Sequence, residues 1–208
     1  TADRLSEYGE CISFPADLST AEGIGSLAAA LRERESQLDI LVNNAGATWG
    51  ATFDEFPEAG WDKIMDINVK SPFFLTQTLI DLLVAAGSHE DPARVINIGS
   101  IDGLHVSRME TYSYAASKAA ILHLTRMMAK NLVKRNITVN AVAPGPFESK
   151  MMAHTLATMG EQIVAEAPRG RIGKPEDMAG AAIYLASQAG AYLNGAVIPV
   201  DGGLATTV

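Results

Sequence analysis

Tyr114 and Lys118, four residues apart in Tyr112-Ser-Tyr114-Ala-Ala-Ser-Lys118, are the pair whose types and spacing could do chemistry. The run 112–134 reads as a helix, because Ala115, Ala119, Leu122, Met127 and Leu132 recur near helical period. Side chains four apart on a helix share a face. A free phenol ionises near pH ~10 and is a poor acid–base catalyst at neutrality. A cation within about 4–6 Å favours the phenolate and lowers that value. Such a pair can give or take a proton near physiological pH. Tyr112 fails the same test, since its fourth neighbour is Ala116. Ser100 closes the apolar run Val95-Ile-Asn-Ile-Gly-Ser and could hold a substrate oxygen beside the phenol.

These side chains need elements that bring them together. Strand-like and helix-like stretches alternate along the chain. Strands are expected at 11–16, 38–43, 95–98, 137–142 and 196–200. Helices are expected at 20–35, 61–86 with a bend at Pro72, 112–134 and 175–186, the last opened by Pro175. Apolar strands alternating with helices specify an α/β fold, a parallel sheet covered by helices on both faces. Ligands of such sheets bind beyond the carboxyl ends of the strands. Polar and glycine punctuation falls there: Asp17, Asn43-Asn44-Ala45-Gly46, Gly99-Ser100 and Pro144-Gly145. The segment 149–172 is the least regular and is expected to be a mobile insertion.

Composition narrows the partners. The chain has 208 residues, 48% hydrophobic and 19% charged, which suits one globular domain, 1–208. A net charge of −8 disfavours nucleic acid and anionic membrane surfaces. The lone Cys11 allows no internal disulfide, which fits a reducing, cytoplasmic setting. His89, His105, His123 and His154 show no ligand spacing, so no metal site is expected.

Taken together, Asn43-Asn44-Ala45-Gly46, Asn68 of Asp-Ile-Asn-Val, Ser100, Tyr114-x-x-x-Lys118 and Pro144-Gly145 resemble the short-chain dehydrogenase/reductase family, in order and over essentially the whole chain. Within it the chain looks most like 3-oxoacyl-(acyl-carrier-protein) reductases of the rhamnolipid-associated type. Ala-Arg-Val-Ile-Asn-Ile-Gly-Ser and Val-Ile-Pro-Val-Asp-Gly-Gly carry that closer likeness. The resemblance implies a Rossmann-type, doubly wound parallel sheet and a set of roles. Tyr114 would be the proton donor in reduction. Lys118 would lower its pKa and hold the nicotinamide ribose, and Ser100 would orient the substrate carbonyl. Asn68 would interrupt its helix and bind a water linking Lys118 to solvent. Asp17 and Leu18 would flank the adenine, Asn44, Ala45 and Gly46 the adenosine ribose. Pro144, Gly145 and Phe147 would border the nicotinamide, with Ser149 near its carboxamide. Asp17 could equally cap the next helix. The implied reaction is NAD(P)H-dependent reduction of a 3-oxoacyl thioester. The alternatives are an alcohol, sugar or steroid dehydrogenase, or a silent binding or oligomer-forming protein. The implied assembly is a homodimer or homotetramer.

The family opens with a strand, a glycine-rich turn and a helix that cradle the pyrophosphate. No such opening is found, and the expectation is an N-terminally incomplete domain lacking roughly fifty residues. That unit would choose the cofactor, for which NADP(H) is favoured over NAD(H). Gly23-Ile-Gly25-Ser-Leu-Ala28 mimics the phosphate fingerprint, but no acidic residue closes the next strand, and close helix packing is the preferred reading. Met151, Met152 and Met159, with Leu156 and Ile163, either pack ordinarily or form a flexible lid over an acyl chain. Trp49, His105, Val106 and Met109 could line the same pocket.

Overall fold

The computed structural model describes residues 2–207. Helix α1, Ala2–Leu5, precedes an irregular stretch and α2, Ala21–Arg32. Strand β1, Ile40–Asn43, leads to α3, Glu58–Met65, then α4, Ser71–Thr78, and α5, Ile80–Ala86. Strand β2, Ala93–Ile98, is followed by the long α6, Tyr112–Leu132, and β3, Ile137–Pro144. Helices α7, Ala153–Glu166, and α8, Pro175–Ala186, precede β4, Val197–Val200. The four strands pair in parallel in the order β1-β2-β3-β4.

Alternation along β2 and β3 explains the layering. Val95, Ile137 and Val139 face Leu83, Met128 and Ala129, whereas Ile96 and Val142 face Leu185 of α8. Helices therefore cover both faces, and β2 and β3 are buried almost end to end. Two asparagines of this core pair through their amide nitrogens. Asn97 Nδ2 donates to Thr125 of α6, and Asn43 Nδ2 donates to Asn97 Oδ1 at 2.8 Å. Those bonds tie two strands to the helix that carries Tyr114.

Three expectations need correction. Residues 11–16 are not a strand: a strand needs a ladder, and no described strand pairs with them. The helix 61–86 is broken into three. A π-turn at Asp66–Lys70 precedes α4, and a 59° bend falls at Leu79, not Pro72, which sits harmlessly in the first turn of α4. The segment 149–172 is not irregular, because it contains α7. Leu156, Met159 and Ile163 recur at helical spacing there, yet none of the helix is fully buried. It stands as a separate helix over the rim of the sheet.

Candidate active site

The carboxyl rim gathers the chemistry. Ser100 follows β2 in extended conformation, 7% exposed, and caps the one-turn helix Ile101–Gly103. Its Oγ accepts from the Asp102 N–H at 3.1 Å. Gly103 lets that turn approach α6: a Cβ there would lie 2.5 Å from the Lys118 carbonyl carbon. Tyr114 and Lys118 face the same cavity, and the Lys118 Nζ sits 5.5 Å from the Tyr114 ring centroid.

Both groups are buried, and burial dominates their ionisation. Lys118, 6% exposed, is held down to about 8 by desolvation. Its Nζ donates to the Ile98 carbonyl at 2.9 Å. The Tyr114 phenol is pushed above its ordinary value by burial, with hydrogen bonding to Ser100 opposing and the Asp102 charge adding to the rise. The expectation that Lys118 lowers the phenol's pKa is thus corrected for the free chain. The ammonium lies over the ring, and burial sets the direction of the phenol's shift.

Asn68, 2% exposed, lies in the π-turn. Its Oδ1 accepts from Ala47 N–H, while Nδ2 donates to the Ala47 carbonyl and the Ser117 hydroxyl, each at 2.9 Å. The expected interruption of the helix is present, and the side chain braces the loop after β1 against α6. A Cβ on Gly46 would stand 3.1 Å from Asn68 Oδ1, a tight approach that a larger residue could make only if Asn68 gave way by a few tenths of an ångström.

A cavity of about 970 Å³ opens at this rim. Asn44, Gly46, Ser100, Tyr114, Lys118, Pro144, Gly145, Phe147 and Ser149 line it. Ala45, which is exposed, and the buried Asn68 are not among the residues that line it. Asp17 and Leu18 lie elsewhere: Asp17 accepts from Ser19 in the loop before α2, and Leu18 packs on the α2–α4 cluster. Thr20, not Asp17, caps α2. Gly23 belongs to the first turn of α2 against the Asp17 backbone, whereas Gly25 faces open space, so neither forms a phosphate loop and only Gly23 is closely packed.

The far wall is largely apolar: Met109, Met151, Met152, Met159 and Ile163 contribute to it with His105. Val106 is almost fully exposed, and Trp49 instead stacks on Gly60, so neither lines the cavity. An Arg108–Glu166 ion pair of 2.6 Å ties the loop before α6 to the end of α7. Asp102 was not foreseen. Its signal was an acidic residue two places after a strand-end serine. Among the described residues no group of three His, Cys, Asp or Glu could hold a metal, and no single helix is long and apolar enough to cross a membrane.

A parallel sheet with helices on both faces, and Ser, Tyr and Lys at its carboxyl rim, define a short-chain oxidoreductase. The chain belongs to the short-chain dehydrogenase/reductase family. A family model described as enoyl-(acyl carrier protein) reductase matches residues 1–205. The chain is 50% identical over 206 residues to a rhamnolipids biosynthesis 3-oxoacyl-[acyl-carrier-protein] reductase of Pseudomonas aeruginosa, covering 98% of this chain and 80% of that one. A 2-dehydro-3-deoxy-D-gluconate 5-dehydrogenase of Dickeya dadantii is 37% identical, again over 98% and 80%. Among solved structures, the RhlG/NADP active-site complex of Pseudomonas aeruginosa superposes with a TM-score of 0.94 at 50% identity, covering 98% of this chain and 80% of that one. A gluconate 5-dehydrogenase of Burkholderia cenocepacia in complex with NADP and tartrate gives 0.89 at 31%, covering 100% and 80%.

Proposed function

We propose that the chain reduces a 3-oxoacyl thioester to the 3-hydroxyacyl product, with Tyr114 as proton donor. The observation that carries this is the convergence of Ser100, Tyr114 and Lys118 at the foot of a methionine-walled cavity. The Ser100 hydroxyl holds the ketone oxygen. Tyr114 delivers a proton to that oxygen as negative charge develops on it, an effect worth about 10²–10⁴-fold in rate. NADPH, when bound, supplies the hydride.

The residues present fit a dinucleotide. The Lys118 ammonium has three N–H donors, and the carbonyl of Ile98 takes one. The others suit a ribose diol. Gly46 leaves room beside Lys118 Nζ, which a Cβ would approach to 3.8 Å. Asn44, Pro144, Gly145, Phe147 and Ser149 would complete the cofactor's walls, and NADP(H) is favoured over NAD(H) because the relatives above were solved with NADP. We place the ketone, rather than the enoyl double bond of the family description, in the site. Protonation of a carbon would leave Ser100 beside the phenol without a task.

The whole chain acts as one domain, with 149–172 and its helix α7 as the substrate lid. Its setting is the cytoplasm, and its protein partner a second copy of itself, for which exposed Ile183 and Tyr192 offer apolar contact. A sugar-acid substrate is the second reading, favoured by the identity to the gluconate enzymes. The methionine wall speaks against a polyol. The test is NADPH oxidation with acetoacetyl thioester and with a keto-gluconate side by side. Turnover of the thioester, lowered at least about 10²-fold in Tyr114→Phe, is the expected result. Turnover of the sugar acid alone overturns the assignment.

A further inference from the structure

The mouth of the cavity has two lips, the loop 104–110 between β2 and α6, and the helix α7. The loop is lightly held. Among the described residues no backbone hydrogen bond ties Val106, Ser107 or Arg108 to another part of the chain, and Val106 is 93% exposed. The end of α7 is the firmer side. Ala167, directly after it, is buried. Beyond that point the segment is pinned by the Arg171–Asp177 ion pair at 2.7 Å and by the Phe147–Gly173 bridge.

One charged contact crosses between the lips. Arg108 Nη1 donates to Glu166 Oε1 at 2.6 Å. Gln162, one turn earlier on α7, donates to the same oxygen at 2.9 Å and so aims the carboxylate. Arg108, Gln162 and Glu166 all line the cavity. Of the ion pairs among the described residues, this is the one that joins α7 to another part of the chain. The neighbouring contact, Thr155 Oγ1 to Met109 Sδ, is long at 4.0 Å.

We propose that Arg108–Glu166 is a latch. Glu166 is the fixed post, Arg108 is the bolt carried by the loop, and the closed pair holds the two lips together over the cavity. This rests on the reading of 149–172 as the substrate lid and adds what fastens it. The two side chains are 69% and 40% exposed. Solvent competes for both, so such a pair shifts an equilibrium by only roughly 2–5-fold. A strong buried pair would seal the cavity. A weak exposed one biases it toward closure and still opens to let ligand pass. The chemistry assigned to Ser100, Tyr114 and Lys118 needs neither side chain.

The experiment measures the gap between the lips in the full chain. Spin labels go on Val106→Cys, which is exposed, and on Gly160→Cys, where a Cβ meets nothing within 4 Å, in a Cys11→Ser background. Double electron–electron resonance should give one main short distance while the latch is intact. In Arg108→Gln and in Glu166→Gln the longer-distance fraction should rise by roughly 2–5-fold. The two substitutions together should open the lips no further, and the charge swap Arg108→Glu with Glu166→Arg should restore closure. Unmoved distances in both single variants overturn the proposal. So does a charge swap as open as the single variants, which would mean packing rather than charge. Stopped-flow mixing with NADPH reads the consequence. A latch on the mouth governs entry and exit alike, so both rate constants should rise by that factor while Kd stays put. A faster dissociation alone would make Arg108 a ligand contact and overturn the latch. Distances that shift as expected without thioester reduction in the wild type sink the substrate assignment alone, while thioester reduction with unmoved distances sinks the latch alone.

Discussion

Lys118 holds a charge at the rim of the site at the expense of the fold. Its ammonium is 6% exposed, over an aromatic ring, with one carbonyl for a partner among the described residues. Burial disfavours the charged form, so its folded pKa of about 8 lies below the ordinary 10.5. A depressed value means that its contribution to stability is present above 10.5 and is lost as the pH falls through about 8. The gap corresponds to about 3 kcal/mol, an upper figure because water penetration relaxes such sites. Lys118→Met should therefore be more stable than the wild type at pH 7, by about 1–3 kcal/mol, while losing activity. That advantage should shrink as the pH approaches 10.5, since the folded side chain is already neutral there and the unfolded one is half neutral. Urea unfolding of both proteins across pH 7 to 10.5 reads the difference directly. A constant difference over that range would show that Lys118 is not held down by burial.

At the scale of elements, the close approach of the Ile101–Gly103 turn to α6 sets the site's geometry. A Cβ at position 103 would lie 2.5 and 2.6 Å from backbone atoms of Lys118, which cannot rotate aside. Gly103→Ala should destabilise the chain by about 1–3 kcal/mol and lower turnover, because Ser100 and Asp102 ride on that turn. Gly25, inside α2 with nothing within 4 Å of a Cβ, is the control. Gly25→Ala should raise stability by roughly 0.5–1 kcal/mol and leave turnover unchanged, by melting and by kinetics. The elements legible in the sequence were those that carry their own signal. Helix α8 was bounded from Pro175 to Ala186 by its proline start and apolar spacing, and β2 and β3 by their continuous apolar runs. The failures were tertiary in origin. Asp-Ile-Asn-Val-Lys has nothing unhelical in it, and its π-turn coincides with the three bonds of Asn68 to Ala47 and Ser117, far away in sequence. Residues 11–16 have a strand's composition but no ladder. Helix α7 was missed because its apolar face meets a cavity instead of a core. At the rim, Ser100, Tyr114 and Lys118 were legible from spacing, but the direction of the phenol's shift was not. Spacing reports neighbours, whereas desolvation depends on everything else packed around the ring.

At the scale of the molecule, the cavity joins parts that are otherwise separate. Its wall takes residues from the β1, β2 and β3 ends, the loop before α6, α6 itself, and α7. A ligand seated there contacts both the buried sheet and the exposed α7, so its binding free energy is felt by the whole fold. Mass action fixes the size of that effect: at a hundred times the dissociation constant, a ligand of the native state alone adds about 2.7 kcal/mol. For a domain of about 150–250 residues each kcal/mol moves the melting temperature by roughly 2–4 °C. NADPH at a hundred times its measured Kd should thus raise the midpoint by about 5–10 °C, and NADH at the same concentration by less. Lys118→Met should melt higher than the wild type without ligand yet gain little from NADPH, since it lacks the donors offered to the ribose. A melting rise in Lys118→Met equal to that of the wild type would place the dinucleotide away from Lys118, and with it the carbonyl away from Tyr114.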